Sequence, residues 1–569
     1  MVRQRIQTGT ISTMQERSKR ARQKTSSLPQ QDVERGAVYT KYEVVDFMLD
    51  LIEYTDDRPI YTKRILEPSF GAGSFLIPII TRLLDSFKKS GRDDFPALAD
   101  CIRAVEVDKS TFDHTKNDIA ALLDIKGVPR HVSHTLISSW LIHSDYLLTQ
   151  DLGPFDYIVG NPPYIRQESI QSDMLGLYRS NFRTMIGRAD IYIAFFEHAL
   201  SSLSRDGTLS FICSDAWTKN AYGRGLREFI SSSYALDLYI DMYGLPAFAD
   251  DVGAYTSITR IRRTSAKYLT TIKLDNLKSS YLKRISAELA QGAQKCRDAT
   301  VIDTPQTSSP WLLSANKESQ LVRELEDRHP SIEQAGCKIG IGVATGADSI
   351  FIGEFESLEV ENSRKLPLAT GKDILDGTLS WSGKGVINPW DSDGKLISLD
   401  KYPLTKEYLF RYRERLRERH TAKRDPNRLW YKTIDKIDPS LIDKPKLLIP
   451  DIRSNSQSIA FDSGTLYPHH GIYYITSDSW DLRALQALLR FGLGTLFVRA
   501  YSTRLGGGYI RFQAQNLRRI RIPQWDSLSI DTKEALKDSP LNVEGLDPCL
   551  VADILQISVS QCERIRALA

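Results

Sequence analysis

The sequence predicts an α/β protein whose N-terminal half contains a doubly wound, mostly parallel sheet, followed by a mixed α+β domain. Short apolar runs of strand length, such as 101–105 and 157–159, alternate with amphipathic segments of helix length. Glycines and acidic residues follow these runs, at the strand ends where open parallel sheets bind ligands. In the second half this alternation fades. We therefore expect a basic flexible tail over 1–31, a first domain over 32–265 and a second domain over 266–569.

The composition excludes several classes of protein. The chain has 569 residues, of which 41% are hydrophobic and 26% charged, with a formal net charge of +4. These values are typical of a globular protein that is too long for one core. No apolar run approaches the roughly 18 residues that span a bilayer, and no apolar core follows the basic N-terminus as in a secretory signal. The six cysteines lack metal-ligand spacing with histidine. We expect a cytoplasmic monomer without a metal or a membrane partner.

The N-terminal tail carries seven lysines and arginines between residues 3 and 24 against a single acid, Glu16. A charge run of this kind is either a solvated tail or an arm that contacts nucleic-acid phosphates. Both interpretations remain open at this point.

The first predicted helix follows the small-residue loop at Gly36. Thr40 is a candidate N-cap, with Glu43 in the capping-box position and an apolar face that continues to Ile52. A helix N-terminus after a small-residue loop is suited to binding a carboxylate.

The first predicted strand begins near Arg64 and ends in a glycine loop. Gly71 and Gly73 allow a tight turn and a close approach of the backbone to a ligand. The loop has neither the GxGxxG pattern of dinucleotide binders nor a Walker lysine. Glu67, at the strand's end, would repel a phosphate but suits a cationic or amino ligand.

The next two strand ends are also acidic. The run that starts at Cys101 ends in Glu106 and Asp108, and either carboxylate could accept hydrogen bonds from two ribose hydroxyls. Asp145 follows the third predicted strand, directly before Tyr146.

The fourth predicted strand, 157–159, leads into Gly160 and then Asn161-Pro-Pro-Tyr164. Two prolines fix φ and remove two backbone donors, so the chain can neither continue the strand nor begin a helix. The result is a stiff loop that presents carbonyls and one amide side chain. The loop is either an ordinary strand exit or a ligand-binding loop. Further along the chain, a short loop places the aromatic Phe248 in the open.

These motifs together resemble the gamma class of S-adenosylmethionine-dependent DNA adenine-N6 methyltransferases. The cofactor motifs come first, Asn-Pro-Pro-Tyr next and the target-recognition domain last, and this order matches Gly36 to Arg262. The region 340–346 and the stretch 447–522 are similar to the C-terminal specificity domain of that class. The chain departs from the class at Lys41, where a proline is usual. The resemblance implies a Rossmann-like class I methyltransferase domain before a DNA-recognition domain.

The resemblance also implies a role for individual residues. Tyr39, Thr40, Glu67, Gly71 and Gly73 would hold the methionine end of S-adenosylmethionine, Glu106 the ribose, and Asp145 and Tyr146 the adenine. Asn161, Pro162 and Tyr164 would bind the target adenine, with Phe195 and Phe248 completing its pocket. The base must leave the duplex stack to reach this loop, which costs a few kcal/mol.

In the second half, two basic stretches are candidates for contact with double-stranded DNA. The arginine-rich stretch 407–432 is either a salt-bridged solvated helix or a face that follows phosphates. A glycine loop is rimmed by arginines that we expect to contact DNA: Arg504, Arg511, Arg518 and Arg519.

The leading hypothesis is therefore the modification enzyme of a restriction–modification system, with a separate nuclease that acts on the same site. An N-methyltransferase of an RNA base or a protein glutamine is the alternative, because such enzymes share the motif. A DNA-binding protein that keeps the fold without activity is a third hypothesis, against which the intact glycines and Asn161 argue.

Overall fold

The computed structural model describes residues 39–248, 256–314, 316–423, 429–502, 509–539 and 545–569. The predicted tail over 1–31 and Arg504 lie outside these residues. The chain divides into two compact units, one ending at residue 315 and the other beginning at residue 316.

One sheet organises the first unit. Its strands are β1 (Ile65–Glu67), β2 (Ile102–Glu106), β3 (Leu141–His143), β4 (Phe155–Gly160), β5 (Leu203–Ser214), β6 (Ala235–Asp241), β7 (Thr256–Arg262), β8 (Tyr268–Lys273) and β9 (Ala299–Asp303). Their order in the sheet is β3-β2-β1-β4-β5-β7-β6-β8-β9. The first five strands in this order are parallel, and β7 runs antiparallel to both of its neighbours. The predicted doubly wound, mostly parallel sheet is confirmed.

Helices connect these strands. They are α1 (Tyr42–Leu51), α2 (Leu76–Lys89), α3 (Lys109–Ile125), α4 (Arg130–Trp140), α5 (Ser172–Asn181), α6 (Tyr192–Ser201), α7 (Ala216–Lys219), α8 (Arg224–Ser233) and α9 (Ser279–Ala290).

The central strands bury side chains on both faces of the sheet, because successive residues of a strand point in opposite directions. Ile65 and Val159 belong to the apolar core that includes α1 and α2, whereas their neighbours Leu66 and Ile158 belong to the core that includes α6. Burial on both faces explains why the sequences of these strands are continuous apolar runs.

The predicted domain boundary at residue 265 is too early. The strands β8 and β9 follow it and extend the same sheet, with β8 parallel to β6 and β9 antiparallel to β8. The sequence signal fades there because β8 and β9 are only partly buried and alternate with polar residues. The first unit therefore continues to residue 315.

The second unit is a mixed α+β structure, as predicted. Its strands are β10 (Cys337–Ile341), β11 (Ile352–Glu354), β12 (Lys365–Ala369), β13 (Ile374–Leu375), β14 (Thr378–Leu379), β15 (Lys384–Ile387), β16 (Lys446–Pro450), β17 (Ile452–Arg453), β18 (Ala460–Asp462), β19 (Tyr467–Pro468), β20 (Ile472–Ser477) and β21 (Ile510–Arg511). They form two four-stranded sheets, β10-β20-β16-β18 and β11-β15-β12-β19, and two short ribbons.

The helices of the second unit are mostly short. They are α10 (Lys317–Arg328), α11 (Asp348–Phe351), α12 (Pro403–Arg411), α13 (Arg413–Arg417), α14 (His420–Lys423), α15 (Leu482–Leu488), α16 (Gly494–Tyr501), α17 (Ala514–Leu517), α18 (Ile530–Asp538), α19 (Pro548–Leu555) and α20 (Val559–Arg566). None of the helices in the described ranges is both long enough and apolar enough to cross a membrane.

Candidate functional site

A cavity of about 410 Å³ opens where β1, β2 and β4 end. Parallel strands bring their carboxyl ends to one edge of the sheet, so residues far apart in sequence converge there. Of the eight residues predicted to bind the cofactor, seven line this cavity, and Gly73 is the exception. The seven are Tyr39, Thr40, Glu67, Gly71, Glu106, Asp145 and Tyr146.

Glu67, at the end of β1, is the most unusual group in the cavity. The residue is 2% exposed, and its Oε2 atom has no hydrogen-bond partner within the described part of the chain. Burial, and then the charge of Glu106, raises the pKa of Glu67 well above its ordinary value. A buried carboxylate without a cation is costly, so this side chain fits a ligand that brings an ammonium group.

The glycine loop after β1 holds the second acid. Gly71 has φ +50° and donates its N–H to Glu106 Oε2 at 3.0 Å. The N–H of Asp108 donates to the other oxygen, Oε1, at 2.8 Å. Burial is the largest cause that raises the pKa of Glu106, against these two hydrogen bonds. The carboxylate is therefore held in one orientation at the wall of the cavity.

The two candidates for the ribose acid have different hydrogen-bond partners. Asp108 is the N-cap of α3, and its Oδ1 atom accepts hydrogen bonds from the N–H and the hydroxyl of Thr111, both at 2.9 Å. N-capping of this kind stabilises the helix start. Both acids line the cavity; Asp108 caps α3, whereas the carboxylate of Glu106 is fixed by two backbone N–H groups at the end of β2.

Gly73 supports the loop from behind. Its φ is +77°, and a Cβ atom at this position would lie 3.1 Å from Thr115 Cγ2. The Thr115 hydroxyl in turn donates to the carbonyl of Gly71 at 2.8 Å. Only glycine adopts this conformation in the available space without strain.

The prediction that Thr40 caps a helix is wrong. The helix α1 begins at Tyr42 with Lys41 as its N-cap, and no described side chain caps it. Thr40 instead forms an isolated antiparallel bridge with Phe248 and lies one residue before the N-cap. Its Oγ1 atom is buried at the cavity wall and lacks a hydrogen-bond partner among the described residues. This hydroxyl can donate to a carboxylate.

Asp145 lies beyond the end of β3. Its Oδ1 atom accepts from the N–H of Leu147 at 2.9 Å, and its Oδ2 atom accepts from the hydroxyl of Tyr178 at 2.6 Å. The sequence does not identify Tyr178, because it lies 33 residues after Asp145 and comes into contact with it only in the folded chain.

The ring of Tyr146 is stacked on His198 with centroids 4.4 Å apart. Phe195 also contacts Tyr146, at 5.1 Å, and lines the cavity near Asp145. Phe195 was predicted to complete the pocket for the target base, together with Phe248. In the structure the ring of Phe195 contacts Tyr146, whereas the ring of Phe248 contacts Tyr164. His198 has no sequence signal of its own.

The Asn-Pro-Pro-Tyr loop begins directly at the end of β4. The carbonyl of Asn161 accepts from the Ser69 hydroxyl at 3.2 Å, which ties this loop to the glycine loop. Asn161 and Pro163 line the cavity, and Pro162 between them is buried.

Tyr164 ends this loop and packs against both apolar cores of the first unit. Its hydroxyl donates to the carbonyl of Ile212 at 3.4 Å, and burial raises its pKa well above the ordinary value. The ring of Phe248 meets it edge-on with centroids 6.2 Å apart. Phe248 is 4% exposed, so the prediction that it stands in the open is wrong. Its bridge to Thr40 draws it into the core.

Three of the four arginines predicted to contact DNA lie in the described residues, and each has a partner in the second unit. Arg511 forms an ion pair with Asp451, and Arg518 pairs with Glu333 at 2.9 Å. Arg519 lies over the ring of Tyr501 at 5.2 Å. The ion pair of Arg511 links β21 to the residue directly before β17, and all three side chains remain at least partly exposed.

The arginine-rich stretch is not one helix but three short ones, α12 to α14. Arg419 donates to the carbonyls of Leu416, Thr345, Trp430 and Lys432, so its task is structural. Exposed basic residues on the same helices remain open to solvent: Arg413, Arg415, Arg417 and Lys423.

Two clusters in the described residues contain three potential metal ligands each. In one of them Glu288 and Asp298 already pair with Arg284. In the other, His469 Nε2 lies 3.2 Å from Asp348 Oδ2.

The chain is similar to several known proteins. The family model of the Eco57I restriction-modification methylase matches residues 80–248. The type II methyltransferase M.PaeR7I of Pseudomonas aeruginosa is 46% identical over 512 residues, which covers 89% of each chain. M.XhoI of Xanthomonas vasicola is 42% identical over 519 residues, covering 89% of this chain and 94% of that one. M.BstVI of Geobacillus stearothermophilus is 38% identical over 562 residues, covering 93% and 98%.

Among solved structures, the Type IIL restriction-modification enzyme MmeI in complex with DNA has a similar fold. The TM-score is 0.55 at 12% identity, over 93% of this chain and 72% of that one. At this identity the likeness concerns the fold alone.

Proposed function

Because the chain belongs to the type II restriction–modification methyltransferases, we propose that it methylates the N6 amine of an adenine that is turned out of double-stranded DNA. The observation that carries this proposal is the position of Asn161-Pro-Pro-Tyr164. The loop begins where β4 ends and borders the cavity that also holds Glu67, Glu106 and Asp145. A methyl donor in the cavity and a base at the loop would then meet at Asn161.

The cofactor is S-adenosylmethionine, which supplies an electrophilic methyl group on a sulfonium sulfur. The polar groups in the cavity match its parts. Glu67 would pair with the ammonium group, and the Thr40 hydroxyl would donate to the carboxylate. Glu106 would accept from the ribose hydroxyls, and Asp145 from the adenine amine. The fit rests on Glu67 and Thr40, whose buried oxygens lack partners in the described structure.

Asn161 would prepare the target nitrogen for attack. The lone pair of the adenine amine is delocalised into the ring, so the amine is a poor nucleophile. The Asn161 side-chain oxygen and the Pro162 carbonyl can each accept one of its N–H groups, which pulls the nitrogen toward tetrahedral geometry. The Ser69 hydroxyl steadies the Asn161 backbone for this task. Positioning of this kind lowers a barrier by roughly 7–11 kcal/mol in well-oriented systems.

Tyr164 would hold the extruded base by stacking. Extrusion costs a few kcal/mol, and stacking on an aromatic ring returns about 1–3 kcal/mol per base. The hydrogen bond to Ile212 fixes the direction of the Tyr164 ring, and Phe248 supports it from the edge.

The second unit would read the DNA sequence. Arg518, Arg519 and the exposed residues of α13 would contact the duplex, whereas Arg511 would support the fold. A separate nuclease that cuts the same sequence, and a monomeric enzyme, complete the proposal.

The experiment that tests the proposal is methylation of bacterial DNA by the full chain with labelled S-adenosylmethionine. The product is digested to nucleosides and analysed by mass spectrometry, and single-molecule sequencing maps the modified bases. We expect N6-methyladenine at one short sequence. Methylated cytosine in its place would refute the adenine assignment while leaving the family membership intact.

A matched variant tests the role of the loop. Asn161→Ala should keep its affinity for cofactor and DNA and lose about a hundredfold or more in turnover, which is comparable to the loss of one transition-state hydrogen bond in other enzymes. Unchanged turnover would mean that Asn161 does not hold the amine.

A further inference from the structure

The segment between the Asn-Pro-Pro-Tyr loop and α6 covers one side of the cofactor cavity. It runs from Ile165 to Ile191 and contains α5. The N–H of Ile191 donates to the carbonyl of Ile165 at 3.0 Å, so the segment leaves the fold and returns to it at one place. Three of its side chains line the cavity: Ile165, Tyr178 and Ile191.

This segment is held in shape by contacts that do not involve a ligand. Glu197 on α6 is buried, and its carboxylate accepts from the N–H groups of Arg183 at 3.3 Å and Thr184 at 2.9 Å. The Arg179 guanidinium donates to the Gln167 side chain and to the carbonyl of Gly187, both at 2.8 Å. The backbone around α5 is therefore preorganised.

Tyr178 connects this cover to the floor of the cavity. Its side chain is buried, and its hydroxyl donates to Asp145 Oδ2 at 2.6 Å. The other oxygen, Oδ1, is held by the N–H of Leu147. Burial and the neighbouring carboxylate raise the pKa of Tyr178, so the hydroxyl remains a donor at physiological pH. With one donor on each oxygen, the Asp145 carboxylate cannot turn about its own axis without losing a charge-assisted hydrogen bond.

We propose that Tyr178 is the positioning residue that orients Asp145 for the amine of the cofactor's adenine, so that the cover segment takes part in cofactor recognition. This inference rests on the proposed function, in which Asp145 accepts a hydrogen bond from that amine. Tyr178 itself does not reach the atoms that react. It acts by keeping the remaining lone pairs of the carboxylate directed at the ligand.

The test compares Tyr178→Phe with the wild-type full chain by calorimetry. Two probes are used: S-adenosylhomocysteine, and its analogue with purine in place of adenine, which lacks the amine. The variant should bind S-adenosylhomocysteine roughly tenfold more weakly, the loss expected for one hydrogen bond to a charged group. Its affinity for the analogue should change less than twofold, as should kcat at saturating cofactor. Tyr222→Phe is the matched control, because it removes the hydroxyl of a tyrosine that does not line the cavity and whose hydroxyl lies 2.9 Å from that of Tyr192.

Each outcome decides the matter. An equal loss for both probes would mean that Tyr178 is only structural, and no loss for either would mean that Asp145 needs no support; both results overturn the inference. Asp145→Asn gives a second measurement, since Tyr178→Phe should cost much less in its background if the two residues act together. If the wild type binds both probes equally well, Asp145 does not bind the adenine amine, and the inference about Tyr178 is overturned with it. The proposed DNA methylation is measured separately, by product analysis.

Discussion

Replacement of Glu67 by glutamine should make the ligand-free protein more stable and weaken its binding of the cofactor. The glutamine has nearly the same shape but no charge to bury. Wild-type Glu67 is 2% exposed, and its Oε2 atom lacks a partner among the described residues. A buried polar group without a partner costs about 1–3 kcal/mol, and the neutral amide removes part of this cost. We expect a gain of about 1 kcal/mol in the free energy of unfolding of the first unit.

The affinity for the cofactor should change in the opposite direction and fall. A hydrogen bond to a charged group is worth about 1.5–3 kcal/mol, which is roughly ten- to a hundredfold in Kd. Glu67→Gln should lose this amount of affinity for S-adenosylhomocysteine, whose ammonium group would no longer meet a carboxylate. Isothermal titration calorimetry measures the affinity for the cofactor, and differential scanning calorimetry measures the stability of the protein.

The effect on stability depends on pH. The folded state raises the pKa of Glu67 above its unfolded value, so the wild type is favoured at low pH and loses this contribution as pH rises. The advantage of Glu67→Gln should therefore appear near neutral pH and vanish below about pH 4, where the unfolded glutamate is also protonated. For the same reason, cofactor binding to the wild type should release protons, which calorimetry in two buffers detects.

Glu106→Gln is the control in the same cavity. Both of its carboxylate oxygens accept backbone N–H groups, and an amide nitrogen cannot accept them, so this variant should be less stable than the wild type. A Glu67→Gln variant that is destabilised in the same way, or that binds the cofactor as tightly as the wild type, would refute the reasoning.

Three further predictions concern the motif, the glycine loop and the second unit. Tyr164→Ala should lose about 1–3 kcal/mol of base stacking, read as a smaller fluorescence change of 2-aminopurine at the target position; an unchanged signal would contradict the stacking role. Gly73→Ala should lower the free energy of unfolding by about 1 kcal/mol or more, because φ is +77° and the new Cβ lies 3.1 Å from Thr115 Cγ2; urea unfolding checks this, with an unchanged midpoint as the contrary result. Arg511→Ala should destabilise the second unit by removing the partner of Asp451, whereas an effect on DNA affinity at unchanged stability would restore Arg511 as a DNA contact.

The parts of the site that sequence analysis identified are those encoded locally. The glycines after β1, the acids after β2 and β3, and the prolines after β4 all stand at strand ends, and the parallel sheet brings strand ends together. The positions of Glu67, Glu106, Asp145 and Asn161 around one cavity follow from this rule alone.

The parts of the site that sequence analysis missed depend on contacts between residues that lie far apart in the sequence. Tyr178 reaches Asp145 across a segment whose path no periodicity encodes. Phe248 is buried because it forms a β-bridge with Thr40, which lies far earlier in the sequence. The ion pair of Arg511 with Asp451 joins residues 60 positions apart, so no local pattern in the sequence indicates it.

The division of labour along the chain has a consequence for how such enzymes diversify. The described residues that line the cofactor cavity fall between Tyr39 and Phe195, whereas the unit from residue 316 onward has its own sheets and apolar cores. On the proposed function, the chemistry and the reading of DNA are thus encoded in separate stretches of the gene. Recombination that exchanges the distal stretch between relatives would deliver a new target sequence with the methyl-transfer machinery intact. Exchange of this stretch alone would let the target specificity change in evolution faster than the methyl-transfer chemistry.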